Sequence, residues 1–66
     1  MTDYPKRLKA AKDIRKGDVF FKDNKKYVAI DDAVWDELGH WQVPATGEDG
    51  EPANWSCEDE DTFGVP

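Results

Sequence analysis

Apolar and polar residues alternate through the middle of the chain, with the period of two that is typical of half-buried β-strands. Short runs of β-forming residues predict strands over residues 19–21 and 27–31. Turn residues separate these runs: Gly17 precedes the first strand, and Asp23 and Asn24 form the predicted tip between the two. Short strands recurring about every 8–12 residues predict a mainly β protein, either a small barrel or a curled antiparallel sheet.

The most specific local prediction is a β-hairpin between residues 40 and 57. Trp41, Val43 and Ala45 alternate with polar residues or proline, and Ala53 and Trp55 do so on the return. A two-residue Asp-Gly loop would set apolar side chains opposite polar ones. A three-residue loop over residues 48–50 instead pairs Val43 with Trp55 and Ala45 with Ala53. We therefore predict the three-residue loop, ending in a glycine at positive φ in a G1 bulge.

A break in the periodicity predicts a bend after the second strand. Val28, Ile30, Asp32 and Val34 share one parity, so an aspartate interrupts an otherwise apolar face. We expect a bulge or a bend near residues 31–32. The prolines at positions 44 and 52 have no amide hydrogen, so their amide positions should face a sheet edge or a bulge.

The two ends of the chain differ from the middle in pattern. Asp3 is placed to cap a short helix, Pro5 suits its first turn, and Tyr4, Leu8 and Ala11 fall on one helical stripe. We predict a short N-terminal helical arm, with residues 1–10 as a basic arm and residues 11–57 as the small β-barrel domain. Residues 58–66 form either an acidic C-terminal tail or a short closing strand.

Charge is divided unevenly along the 66 residues. Residues 1–26 hold all nine basic residues with four aspartates, a net charge of +5, and residues 27–66 hold eleven carboxylates and no basic residue. In one interpretation the two halves face each other and partly neutralise. In the other, a one-signed acidic surface steers a basic partner toward the protein and repels nucleic acid and membrane headgroups.

Two segments resemble known small modules. The "I-x-x-G-D-x-F" turn from Ile14 to Phe20 and the "G-x-W-x-V" run from Gly39 to Val43 are similar to motifs of SH3-like barrels. This resemblance spans roughly residues 11–57 and implies a small SH3-like barrel. The size and acidity of the chain also resemble the small accessory proteins that bacteriophages encode. Neither resemblance transfers functional residues, because SH3-like barrels host many unrelated tasks.

The residue types needed for catalysis are few. Cys57 is the only cysteine and His40 the only histidine, and the hairpin register sets Cys57 opposite Trp41, so that the thiol and the imidazole point to opposite faces. We interpret them as a structural thiol and a surface histidine, and expect no enzyme activity. Two nitrogen or sulfur ligands are too few for zinc, and the acidic clusters lack the EF-hand spacing. We expect no metal and no cofactor.

The chain is short enough for one domain, and no apolar run approaches the roughly 18 residues of a membrane span. One cysteine and no secretory signal predict a cytoplasmic protein that does not contact a membrane. The preferred hypothesis is a non-catalytic protein-binding module, encoded by a phage or a mobile element, that covers a basic nucleic-acid-binding site on a host protein. Its binding residues would be Asp31, Asp32, Trp35, Asp36, Glu37, Glu58, Asp59, Glu60 and Asp61.

Two alternatives remain open from sequence. A small nucleic-acid-binding barrel would grip phosphates with basic residues of its N-terminal part, while the acidic remainder would oppose the binding. The residues of this alternative are Lys6, Arg7, Lys9, Lys12, Arg15 and Lys16. The second alternative is a structural subunit of a larger assembly, whose acidity serves only solubility.

Overall fold

The computed structural model describes residues 7–66, and this part of the chain forms seven strands and one 3₁₀ turn. Each element is short, and tight turns link most of them. In chain order the elements are β1 (Arg7–Ala10), the 3₁₀ turn (Ala11–Asp13), β2 (Val19–Lys22), β3 (Lys25–Ala29), β4 (Val34–Trp35), β5 (Trp41–Gly47), β6 (Pro52–Cys57) and β7 (Thr62–Val65).

All seven strands belong to one antiparallel sheet that curls strongly into a half-barrel. The order of strands is β1-β7-β2-β3-β5-β4, and β6 pairs with the other side of β5. Strands β1 and β6 therefore form the two ends of the sheet in the described part of the chain. The prediction of a mainly β protein with a curled antiparallel sheet is confirmed.

The predicted helical arm is wrong for the described residues. Arg7–Ala10 is extended and pairs along its whole length with β7, from Arg7 opposite Val65 to Ala10 opposite Thr62. Leu8 is exposed, so it does not belong to a packed helical stripe. A helix of about two turns has no stability of its own, whereas pairing with β7 satisfies the backbone of both strands. The predicted helix positions Asp3, Tyr4 and Pro5 lie outside the described residues.

The predicted hairpin register is confirmed between β5 and β6. Val43 lies opposite Trp55 and Ala45 opposite Ala53. Gly47 donates its amide hydrogen to the Glu51 carbonyl at 2.8 Å, which closes the three-residue loop, and Gly50 has a φ of +83°. The G1 bulge requires a positive φ at this position, and glycine adopts it without strain.

The turn and the bend predicted on either side of β3 are also present. Asp23 and Asn24 form the tip between β2 and β3 with φ values of 52° and 64°, a turn conformation that matches the twist of hairpin strands. The chain bends at Ile30 and Asp31, between β3 and β4. Pro44 of β5 lies opposite this bend, and its carbonyl accepts a hydrogen bond from the Ile30 amide. The pairing with β3 and β4 is interrupted at this point, so the lack of an amide hydrogen on Pro44 breaks no ladder hydrogen bond.

The core lies on the concave side of the sheet. Phe20, Ile14 and Val43 are its largest fully buried side chains, and Phe20 packs against Phe63 with ring centroids 4.5 Å apart. Small residues fill the remaining inward positions; the rest of the core is Ala11, Ala29, Ala33, Ala45, Cys57 and Val65. Because alanine occupies the inward positions next to the bend, the larger aliphatic residues of that segment point the other way.

Candidate functional site

The outward face of β3 and β4 carries three exposed aliphatic side chains, Val28, Ile30 and Val34, which we call the stripe. They are 40%, 52% and 56% exposed. Strand geometry places them there, because Tyr27 and Ala29 of the opposite parity face the core. The residues that share one parity from 28 to 34 are thus a surface, interrupted by Asp32, and not part of the buried core.

Acidic residues border the stripe at the bend and at the following turn. Asp31 and Asp32 directly follow Ile30, and Glu37 lies two residues after Trp35; we call these three the rim. All three are exposed. Asp32 accepts a hydrogen bond from the Lys16 amide at 2.8 Å and so fixes the bend against the turn that precedes β2. Glu37 makes no hydrogen bond or ion pair with any described residue.

Asp36 has a structural role that the sequence did not reveal. Its carboxylate accepts hydrogen bonds from the amides of Leu38 and His40, both at 2.9 Å, and from Nε2 of Gln42 at 2.6 Å. The His40 amide, followed by the Gln42 side chain, holds the pKa of Asp36 below its ordinary value. Asp36 is half-buried and holds the β4–β5 turn closed, and its carboxylate oxygens are already hydrogen-bonded within the protein.

Gln42 extends this polar network across the outward face. Its Oε1 atom accepts hydrogen bonds from Asn54 Nδ2 at 2.7 Å and from Ser56 Oγ at 3.1 Å. Hydrogen bonds therefore link side chains of the β4–β5 turn, β5 and β6, from Asp36 to Asn54. This network forms a polar border on the side of the stripe that faces β6.

Trp35 and Trp41 lie opposite each other on β4 and β5 and pack edge to face, with ring centroids 5.3 Å apart. Trp35 is 53% exposed. The indole Nε1 of Trp41 donates a hydrogen bond to Asp59 at 3.2 Å. The predicted anchor Trp35 is thus exposed, and Trp41 connects it to the second acidic segment.

The second acidic segment, residues 58–61, is the turn between β6 and β7. Asp61 accepts a hydrogen bond from the Glu58 amide at 2.8 Å and so holds this turn. The side chains of Glu58 and Glu60 are exposed and have no partner among residues 7–66. Of the predicted acidic binding residues, Asp32, Asp36 and Asp61 hold turns, whereas Glu37, Glu58 and Glu60 present free charges.

The basic residues of the nucleic-acid alternative are mostly engaged inside the protein. Lys9 forms a salt bridge with Asp18 at 2.8 Å, which lowers the pKa of that carboxyl group. Lys12 lies 3.7 Å from Asp59, and Arg15 donates to the carbonyls of Lys12 and Ile14. Arg7 and Lys16 are exposed, and Lys6 lies outside the described residues. The pair Lys12–Asp59 links the basic and acidic halves, but an exposed ion pair contributes little stability.

Cys57 and His40 do not form a catalytic arrangement in the structure. Cys57 is buried opposite Trp41, and burial, followed by the charge of Asp61, raises the pKa of its thiol. A raised pKa keeps the sulfur protonated, whereas a nucleophilic cysteine needs its thiolate. The His40 side chain is exposed and lies near Asp36, with Nδ1 4.0 Å from Oδ1.

An open groove of about 340 Å³ lies between the tip of the β2–β3 hairpin and the loop between β5 and β6. Lys25 and Lys26 line one wall and Glu48, Asp49 and Glu51 the other. Neither His40 nor Cys57 contributes to it. Within residues 7–66, no group of three or more histidine, cysteine or acidic side chains is arranged to hold a metal ion, and no helix has the length and hydropathy to cross a membrane.

The predicted binding residues were Trp35 and the acidic residues, and the exposed stripe was not among them. The sequence did contain a signal for this exposed face. The alternate residues Tyr27, Ala29 and Ala33 are also apolar and could equally have formed the buried side of the segment. Comparisons with protein-family models, with curated proteins and with solved structures find no match for the chain.

Proposed function

We propose that this protein is a non-catalytic interaction module that binds a basic surface of another protein through the stripe and its acidic rim. The observation that carries the proposal is the exposure of three branched aliphatic residues beside carboxylates on one continuous stretch, residues 28–37. Protein interfaces commonly combine an apolar centre with a polar border that remains partly hydrated. Trp35 lies outside this surface: it is opposite Trp41, whose side chain packs on the core, so it projects to the other face of β4 from Val34.

The charge of the chain supports a basic partner. The net charge is −6, and the exposed side chains of Glu37, Glu58 and Glu60 have no partner among residues 7–66. A like-signed partner would be repelled, and a basic one would be steered toward the surface. A nucleic-acid-binding face of a host protein has this character, and covering it would block access of the nucleic acid.

The proposal has a finer part. We propose an SH3-like module of the kind that phages and mobile elements encode to modulate host proteins in the cytoplasm. The curled sheet of short strands and the motifs around Ile14 and Gly39 support the fold assignment. Absence of catalysis is supported by the burial of Cys57 and by the raised pKa of its thiol.

Affinity capture from the source organism with three matched baits tests the proposal. The double variant Ile30→Ser with Val34→Ser removes the stripe, and Asp31→Asn with Glu37→Gln neutralises part of the rim. Leu8→Ser is the control, because Leu8 is exposed on β1, three strands from β3 in the sheet. We expect a protein that the wild type and the Leu8 variant retain, that both other variants lose, and that salt releases. Recovery of the same proteins by all baits would contradict the proposal.

A further inference from the structure

The outer edge of β6 is open in the described part of the chain. Within residues 7–66, β6 pairs only with β5. Because Gly47 bonds to Glu51 across the hairpin, the alternation of an antiparallel ladder directs the backbone groups of residues 53, 55 and 57 toward β5. The backbone groups of Pro52, Asn54 and Ser56 then point outward. This edge offers two amide hydrogens and three carbonyl oxygens to an additional strand.

The charges at the two ends of β6 define what such a strand would carry. β6 itself, Pro52–Cys57, has no charged residue. Glu48, Asp49 and Glu51 precede it, and residues 58–61, all of them acidic, follow it. Six residues in an extended strand span about 20 Å, so the two acidic groups lie about that far apart along the edge.

We propose that the β6 edge binds an extended basic segment of a partner protein by strand addition, with basic side chains at each end of the added strand. This inference rests on the proposed function, because it names how the basic partner would bind. Main-chain hydrogen bonds would supply affinity, and the flanking carboxylates would select positive charge at both ends.

A second copy of this chain is a poor occupant of the same edge. If two β6 strands paired in antiparallel orientation, residues 58–61 of each copy would lie beside Glu48, Asp49 and Glu51 of the other. In parallel orientation each acidic group would lie beside its own equivalent. Both arrangements bring carboxylates together, and Pro52 removes one donor from the edge, as edge strands that avoid self-association commonly do.

Proline substitution separates the edge from the rest of the fold. Asn54→Pro removes an outward amide hydrogen without breaking a β5–β6 hydrogen bond, and Pro52 occupies the same parity in the native strand. Asn54→Ala is the control, because it keeps the amide hydrogen and loses only the side-chain bond to Gln42. The probe is a synthetic peptide with Lys-Arg at both ends and alternating threonine and valine between them.

Titration of the isotope-labelled protein with this peptide, followed by nuclear magnetic resonance, gives the result directly. We expect saturable shifts and slowed hydrogen exchange at the Asn54 and Ser56 amides, and affinity lowered about tenfold by Asn54→Pro but by less than about threefold by Asn54→Ala. On the wild-type protein, N-methylation of alternate peptide residues should abolish binding. This arm decides the question even if the proline variant fails to fold.

Three outcomes would overturn the inference: equal binding of the N-methylated peptide, equal binding of a peptide with glutamate ends, or a dimeric mass of the protein without peptide. These outcomes would leave the proposed function standing, because the stripe on β3 and β4 is unchanged in every arm. Loss of capture by the stripe variant tests that function separately.

Discussion

Replacing one valine on each side of the sheet tests whether the stripe is a surface or part of the core. Val43 is 0% exposed on the concave side, and Val34 is 56% exposed on the outward side. The same chemical change, valine to alanine, removes the same atoms at both positions. The difference in cost therefore reports burial alone, apart from small differences in strand propensity.

The structure gives the expected magnitudes. Loss of two buried carbons at Val43 costs about 1.6 kcal/mol of transfer free energy, and the remaining cavity brings the total to about 2–3 kcal/mol. The same loss at Val34 costs less than about 0.8 kcal/mol, because more than half of that side chain is already in water. A domain of this length has a free energy of unfolding of roughly 3–10 kcal/mol, so Val43→Ala removes a large part of it.

Urea titration followed by tryptophan fluorescence measures both variants against the wild type. We expect the unfolding midpoint to fall strongly for Val43→Ala and little for Val34→Ala, with the same dependence on urea. In thermal unfolding the Val43 change corresponds to roughly 10–20 °C. Equal destabilisation by the two substitutions would mean that Val34 is buried in solution and that the stripe is not available to a partner.

Three further predictions follow from individual contacts. The folded pKa of Asp36 lies below its ordinary value of 3.8, so its carboxylate stabilises the protein fully above that pH and loses this effect as the pH falls through the folded pKa. In an acid titration, the free energy of unfolding of Asp36→Asn should therefore decline less than that of the wild type. The pKa of Cys57 lies above its ordinary value of 9.0, so a thiol reagent should modify the native protein more slowly than the urea-unfolded chain, and equal rates would contradict its burial. Gly50→Ala should cost about 1 kcal/mol from the positive φ alone, since a Cβ there meets no atom within 4 Å, and Gly50→Asn should recover part of that loss in the same urea titration.

The parts of the fold that depend on neighbouring residues could be predicted from sequence. The β5–β6 register follows from alternation and from one glycine that accepts positive φ, and both features lie within the hairpin itself. The β1–β7 pairing could not be predicted in this way. Arg7 and Val65 lie at opposite ends of the chain, and the local pattern around Leu8 also fits a helix, so only the tertiary structure decides between them.

The site was only partly predictable for a related reason. The concave side of a tightly curled small sheet is filled by a few aromatic rings such as Phe20 and Phe63, so the inward positions beside them must be small. Ala29 and Ala33 take these positions, and the larger Ile30 points outward. If the more apolar set of alternate residues is assigned to the core, the buried and exposed faces of this segment are exchanged. Asp36 holds its turn through the nearby amides of Leu38 and His40, and only its bond from Gln42 of the next strand depends on the tertiary structure.

Photo-cross-linking from single positions is the most direct test of whether the stripe contacts a partner. A photoactivatable side chain at position 30 replaces one exposed residue of the stripe, and the same group at position 8 provides the control. We expect that, in extract of the source organism at low salt, position 30 forms a defined adduct with a basic protein and position 8 does not. An adduct from position 8 alone, or none from position 30, would contradict it.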